Sequence, residues 1–476
     1  MTVSMLTLIA IPLVAALLVM VVGRWPNIRE AVSLIAGGSL FAGVVSFIGP
    51  VSEGLRPSLT LVEMVPGISI SFTLEPLGLL FALVASGLWI VTTVYAMGYM
   101  RGNSESHQTR FYVCFALAIA AAMGVAFSGN LITLFVFYEM LTLSTYPLVT
   151  HKGTEVARNG GRVYLGVLLT TSIGFLLPAI IFTWVATGSV DFVPGGILEG
   201  HISPGLAAIL FALFLFGIGK AALMPFHRWL PAAMVAPTPV SALLHAVAVV
   251  KAGVFAVLKI TVYIFGIDFA ATGGFTEPMM WVAAFTLLSA SIIALRKDNL
   301  KARLAYSTIS QLAYIVLGAC MATSLGIFGG AMHIVMHAFG KITLFFCAGA
   351  IYTAAHKTLV SELDGMGRVM PFTFVAFAIA SLSIIGLPPM GGTWSKWYLM
   401  SGAAATGELL LIGVLAVSSL LNIVYLLEIP MRGFLKPRAH NQPAGLHEAP
   451  AACVLPLCFT AAGCLVWFVL PDILLT

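Results

Sequence analysis

The sequence predicts an all-α polytopic membrane protein of about fourteen transmembrane helices, with two inverted five-helix repeats and discontinuous helices 7 and 12. Three observations carry that fold class. The 476 residues are 60% hydrophobic and only 9% charged, with a mean hydropathy of +1.04, whereas a soluble domain is about 25% charged. Apolar segments of spanning length recur along the whole chain. The basic residues alternate from loop to loop. Such a composition excludes a soluble multidomain enzyme, a disordered chain and a nucleic-acid binder. The net charge of +5 is then read as a topological signal rather than as affinity for polyanions.

A hydrocarbon core about 30 Å thick takes about 20 helical residues at about 1.5 Å each. Segments 3–23, 30–49, 74–99, 111–128, 131–150, 163–187, 206–224, 239–264, 278–295, 304–322, 327–354, 371–402, 408–431 and 450–471 satisfy that length. The gaps at 128–131 and 322–327 are the narrowest. The N-terminus, MTVSMLTLIAIPLV, has no basic residue before its apolar stretch. It reads as a retained first helix starting on the outer side rather than as a cleaved signal peptide. Loops after odd-numbered segments carry seventeen basic residues, from Arg24 and Arg29 to Arg432, Lys436 and Arg438, and those after even-numbered segments carry only Arg56. That asymmetry predicts an even helix number and both termini outside. The expected location is a cell inner membrane of a prokaryote, spanned many times.

Two segments look interrupted. The seventh meets Pro225 and Pro231 in KAALMPFHRWLP, and the twelfth meets Pro388 and Pro389 in GLPPMGG. Proline removes a backbone donor and clashes with the preceding turn. Breaks five helices apart suggest two repeats, residues 106–270 (helices 4–8) and 271–432 (helices 9–13), between an N-terminal three-helix unit at 1–105 and a C-terminal loop and helix at 433–476. An odd number of helices per repeat inverts the second copy. Proline kinks without any repeat are also common in membrane helices, and Pro225, Pro388 and Pro389 serve equally as hinge candidates.

An ionised side chain at the bilayer centre costs at least ~2.5–3.5 kcal/mol, so it faces the bundle interior and has a reason to be there. The sequence puts Glu139 in helix 5, Lys220 in helix 7, His245 and Lys251 in helix 8, His333, His337 and Lys341 in helix 11, and Lys396 in helix 12. Lys259 and Glu428 lie closer to helix ends, where snorkelling accounts for them. His333, His337 and Lys341 recur every four residues and form one polar stripe. His245 and Lys251 are six apart and point away from each other, toward different neighbours. A desolvated lysine is pushed toward neutrality and a nearby carboxylate pulls it back, so a lysine with a movable acidic partner binds and releases protons. Glu139 and Lys220 are the candidate pair; a static buried salt bridge fits the same two residues. The further ionisable groups favour a relay, since a fixed fold needs one pair at most.

The six cysteines lack paired spacing, and CxxC, GxGxxG, P-loop and bis-histidine haem patterns are missing from the sequence. No cofactor, no metal site and no catalytic residue is expected, so energy must come from an ion gradient or partner subunits.

The stretch KAALMPFHRWLPAAMVAPTPVSALLHAVAVVK at 220–251, with FYEM at 137–140, LKARLAYSTISQLAY at 300–314, HIVMHAFGKITLFF at 333–346 and GLPPMGGTWSK at 386–396, resembles the antiporter-like proton-translocating subunits of respiratory complex I, of Mrp-type multisubunit cation/proton antiporters and of membrane-bound hydrogenases. The resemblance covers about residues 70–430. It implies a fourteen-helix core with inverted repeats and a hydrophilic axis at the membrane midplane. By it, Glu139 and Lys220 match the family's glutamate–lysine pair. His245 and Lys251 match its connecting residues on a broken helix 8, His333, His337 and Lys341 its central group, and Lys396 its terminal lysine. His227 falls in the family's PxHxWLP turn, where gating and plain packing are both open. Two departures stand out. Ala232 follows WLP where the family often has an acidic residue, and the chain stops at Thr476, without the lateral helix or extra domains of the largest members. Lys396 disfavours the complex I members that carry glutamate there.

The function implied is proton translocation through a buried Glu/Lys/His relay inside a multisubunit ion-pumping complex, either an Mrp-type Na+/H+ antiporter or a complex I- or hydrogenase-type membrane arm. The partners would be other membrane subunits, the lipid bilayer, H+ and, in an exchanger, Na+. The alternative is a secondary transporter for Na+, K+ or inorganic carbon acting alone or with one partner.

Overall fold

The computed structural model describes residues 4–65, 67–438 and 445–474. Residue 3, where the first predicted segment begins, and residues 439–444 and 475–476 of the predicted C-terminal unit lie outside the described residues. In chain order come α1 (Met5–Val21), α2 (Pro26–Val45), a hairpin of β1 (Ser58–Val65) and β2 (Ile68–Thr73), α3 (Pro76–Gly102), α4 (Gln108–Phe127) and α5 (Leu131–Val149). Next are α6 (Glu155–Thr187), α7 (Pro204–Gly217), α8 (Thr238–Phe265), α9 (Glu277–Leu295), α10 (Leu300–Cys320) and α11 (Ser324–Ala355). The last are α12 (Pro371–Ile385), α13 (Gly392–Ala405), α14 (Leu409–Leu435) and α15 (Ala451–Val469). Each predicted apolar segment contains a helix, the seventh and twelfth only over part of their length, and the two narrow gaps are real turns.

Among the described residues, ten helices are long and apolar enough to cross a membrane: α2 to α6, α8, α9, α11, α14 and α15. α1, α7 and α12 are apolar but shorter. A helix hydrophobic all round belongs in the middle of a bundle, and α8 is buried along nearly its whole length, with α4 and α11 close behind. Small residues let these axes approach. A Cβ on Gly253 of α8 would lie 2.5 Å from the Ala221 nitrogen and 2.9 Å from Lys220 Cβ, so α8 rests directly on the turn that carries Lys220.

Four features depart from the sequence reading. The loop before α3 is a two-stranded antiparallel hairpin, Ser58 opposite Thr73; the alternation ISISFT was a legible strand signal. The seventh helix ends at Gly217, well before Pro225, so Lys220 lies in a short 3-10 turn, Gly219–Ala221, and not inside a helix. Trp229 Nε1 donates to the Gly219 carbonyl (2.9 Å) and closes this break. Arg29 is not a loop charge: it sits in the first turn of α2, buried with Glu30. Glu30 accepts from Arg29 (3.3 Å) and from Arg101 (2.5 Å), which ties α2 to α3. Lys259 does not snorkel; it is wholly buried and paired with Glu75 at 3.1 Å. The reading of Glu428 as an end-of-helix residue holds better, for it is one-third exposed and bridges Arg303 (2.6 Å) and Arg432 (2.7 Å).

Gly253→Val should therefore prevent α8 from seating on the Lys220 turn. Its thermal unfolding in detergent, followed by size-exclusion profile, is expected to show a loss at or above the ~1–3 kcal/mol typical of overpacked cores. Gly166→Ala, a helical control position with open space around its Cβ, should cost less.

Candidate functional site

The polar side chains predicted for the membrane interior fall on five elements around α8 and α11. At the α7 break, the Lys220 ammonium donates to the Tyr138 carbonyl (2.8 Å) and Thr142 Oγ1 (2.6 Å) and stands 3.1 Å from the centre of the Tyr138 ring. The Lys220 backbone N–H donates to the Tyr138 hydroxyl (3.0 Å). One tyrosine of α5 thus holds both ends of the lysine. Glu139, the next residue, is half-buried, and both its carboxylate oxygens lack a hydrogen-bond partner. Among the described residues the predicted Glu139–Lys220 pair makes no contact ion pair. The two groups are neighbours whose direct contact is open, and Lys220 is solvated by neutral oxygens instead.

His245 lies in a π-turn, Leu243–Val247, and the following residue, Ala248, leaves helical geometry (φ −123°, ψ −63°). This irregularity resets the helical phase. Both His245 and Lys251 consequently meet α11, where the spacing alone pointed them apart. His245 packs on the Phe345 ring at 4.6 Å with both ring nitrogens unpartnered. Lys251 Nζ contacts His337 Nδ1 directly.

On α11, the His333 and His337 rings lie 5.8 Å apart. His333 is held on both sides, by Ser395 of α13 (2.8 Å) and Gln311 of α10 (3.1 Å). Lys341, one turn beyond His337, donates to Ser307 Oγ at 2.5 Å, and Ser307 in turn accepts from the Tyr425 hydroxyl (3.0 Å), which also meets Asn422. Lys396 stands just past the second break. Its ammonium donates to the Ile385 carbonyl (3.0 Å) and Ser419 Oγ (3.0 Å) and lies 4.5 Å from the Tyr314 ring centre. Gly386 takes φ +89° there, and a Cβ on it would strike Lys396 Cδ at 2.6 Å. Lys220, His245, Lys251, His333, His337, Lys341 and Lys396 are all buried.

The hinge candidates sit at the breaks. Pro225 is exposed and His227 half-buried, its ring 6.2 Å from that of Tyr306. Pro388 and Pro389 lie in the α12–α13 loop and are exposed. Charge-based reading missed the neutral partners: Tyr138, Thr142, Ser307, Gln311, Tyr314, Ser395, Ser419, Asn422 and Tyr425. Ser307, Gln311 and Tyr314 at i, i+4 and i+7 of one apolar helix were a findable stripe. Taken together the arrangement is a succession of buried ionisable side chains, most of them held by hydroxyls, carbonyls or a neighbouring imidazole, with no metal-ligand cluster among the described residues.

Comparison with known proteins identifies the family and the fold. The family described as "NADH:quinone oxidoreductase/Mrp antiporter, TM" matches residues 128–422. The NADH-quinone oxidoreductase subunit N of Desulforudis audaxviator is 32% identical over 480 residues, covering 96% of this chain and 94% of that protein. A Na(+)/H(+) antiporter subunit from Alkalihalophilus pseudofirmus is also 32% identical over 91% of this chain, which spans only 57% of that longer protein. A chain in the structure of the Mrp complex from Dietzia sp. superposes with a TM-score of 0.87 over 99% of this chain and 95% of that one, at 23% identity, a likeness that speaks for the fold. The chain is accordingly a multi-pass integral membrane protein.

The double grip of Tyr138 on Lys220 yields an ordered prediction. Tyr138→Phe keeps the ring and strands the buried Lys220 N–H, at about 1–3 kcal/mol. Tyr138→Leu also removes the ring face and should cost up to ~2 kcal/mol more. Thermal unfolding midpoints in detergent should fall in the order wild type, Tyr138→Phe, Tyr138→Leu.

Proposed function

The chain belongs to the NADH:quinone oxidoreductase/Mrp antiporter transmembrane family, and from that premise we propose that it is the proton-translocating subunit of a multisubunit ion-pumping complex in a prokaryotic cell membrane. The observation that carries this reading is the succession of buried ionisable side chains from the α7 break to the α12–α13 break, in which Lys220, Lys341 and Lys396 each donate to a hydroxyl and Lys251 meets His337 directly. A proton enters from the cytoplasmic side near Glu139 and Lys220 and passes His245 and Lys251. It then crosses the His333, His337 and Lys341 group and leaves near Lys396. Neutral acceptors around the lysines support the reading, because they hold the side chains in place in either protonation state. Glu139, free of hydrogen bonds, is placed to approach Lys220 and withdraw.

In this reading α1 to α11, the α12–α13 pair, α14 and α15 make fourteen crossings with both termini outside. Residues 106–270 and 271–432 form inverted repeats between the 1–105 and 433–476 units. What supports the repeat is that each half has an interrupted helix with a buried lysine at or just past the interruption, Lys220 after α7 and Lys396 after α12. His227, Pro225, Pro388 and Pro389 border those interruptions and act as hinges. The partner subunits are membrane proteins that supply the driving reaction or the counter-ion gradient.

Lys220→Met and Lys396→Met should each reduce proton translocation by the reconstituted complex to background, while the variant chain still copurifies with its partners. A pH-sensitive dye in proteoliposomes reads the first quantity and affinity purification the second. Normal pumping by either variant would sink the relay.

A further inference from the structure

Of the lysines buried within the bundle, the one that holds a carboxylate is Lys259, which the relay as described above does not use. It lies on α8 eight residues beyond Lys251, with Phe255 midway, so the three side chains follow at i, i+4 and i+8 along one stripe. Its ammonium is 3.1 Å from Glu75 Oε2 and donates to the Ser128 carbonyl at 2.6 Å. Phe255 packs tilted against Phe81 with ring centres 5.1 Å apart, and its ring centre is 5.6 Å from the Lys259 ammonium. Phe192 closes the pair from the other side at 4.6 Å.

A roof lies over this pair. β2 bridges to the α4–α5 corner through Phe72 and Ser128, and Asn130 bridges to Asp191. The segment after Asp191 fastens to the end of α8, Val193 N–H to the Tyr263 carbonyl (3.1 Å) and Ile197 N–H to the Ile264 carbonyl (2.9 Å). Separate hydrogen bonds already anchor the hairpin: Gly129 N–H to Ser71 O (2.9 Å), Asn130 Nδ2 to Ser69 O (2.7 Å) and Ser71 N–H to Thr133 Oγ1 (3.0 Å). The ion pair is therefore not needed as a latch. A buried pair adds little net stability after desolvation, which leaves a functional reason for keeping two charges there.

We propose that Glu75 and Lys259 form a second relay pair, the outward end of a proton branch that runs along α8 from Lys251 and is held shut at the apolar step of Phe255. The inference rests on the reading of α8 as part of a proton relay and on the outer placement of the hairpin. When water passes Phe255, the Lys251 ammonium gives up a proton and becomes an amine, and the Glu75 carboxylate becomes a carboxylic acid. Lys259 keeps its own proton and, with its partner now neutral, stands as an uncompensated charge beside it. That charge drives the Glu75 proton out to the external water and restores the ion pair.

The test uses the complete complex in proteoliposomes. Glu75→Leu/Lys259→Met replaces a buried ion pair by apolar groups, a change that is commonly neutral or stabilising. The double variant is expected to assemble and melt like wild type yet lose proton transport under its natural driving reaction. Wild-type transport in it overturns the proposal, and if Lys220→Met is inactive in the same assay the main relay stands without this branch. Normal transport by Lys220→Met removes the relay and the branch together. Phe255→Ala supplies a measurement that does not depend on the double variant folding. An imposed pH gradient should collapse faster through it than through wild type, and vesicles as tight as wild type overturn the proposal.

Discussion

An ammonium inside a bilayer must find all its solvation within the protein, and this constraint organises the interior. With one exception the buried lysines of the bundle end on a backbone carbonyl: Lys220 on Tyr138, Lys259 on Ser128, Lys341 on Leu304 and Lys396 on Ile385. The exception, Lys251, ends on the His337 imidazole. A regular helix has few carbonyls to spare, because each accepts from the residue four positions on. The Ser128 and Ile385 carbonyls come from helix ends, where the last carbonyls lack intrahelical donors. Chain breaks are thus part of how the charges are solvated.

The close approach of backbones follows from the same need. A carbonyl can reach a buried lysine only where no side chain stands between them, and Gly386 at φ +89° lets Lys396 pass within contact distance of the α12 end. Gly253, for its part, lets α8 pack directly against the Lys220 turn. The aromatic faces of Tyr138 and Tyr314 then cover the two lysines from the side. A cation over a desolvated ring gains about 2 kcal/mol, and the ring still packs well when the lysine is neutral. Carbonyl, hydroxyl and ring together hold each side chain without fixing its charge.

The helices were legible from the sequence because hydrocarbon leaves the backbone little choice, and the eight relay candidates were legible because charges in apolar runs are conspicuous. What could not be read were relations that depend on exact phase or on distant parts of the chain. His245 and Lys251 meet the same helix only because a π-turn and the distorted Ala248 intervene, and nothing in LLHAVAVVK announces them. Lys259 looked like an end-of-helix residue until Glu75, at the start of α3 and far off in sequence, was brought to it by the hairpin and the α4–α5 corner. The position of Lys220 relative to its break was misjudged for a local reason. The prolines are conspicuous, but the helix ends earlier, where Gly217 and Gly219 press against Leu176 and Thr171.

The balance of charges in the interior has a further consequence. Among the described residues, Lys220, Lys251, Lys259, Lys341 and Lys396, with His245, His333 and His337, have Glu139 and Glu75 as their neighbouring carboxylates. If all five lysines were protonated at once, their repulsion would be only partly compensated. Two groups eight residues apart on a helix, such as Lys251 and Lys259 or His333 and Lys341, are separated by about 12 Å of rise. At an effective dielectric constant near 20 that amounts to about 1.4 kcal/mol between unit charges, a factor of about ten in a protonation equilibrium. Each proton that arrives on such a line therefore lowers the affinity of the next position by about an order of magnitude. The effect is large enough to push a proton onward and small enough for one carboxylate, approaching or withdrawing, to reverse it. In the proposed relay, a scarcity of acids among many bases would thus let a single glutamate set the state of its neighbours.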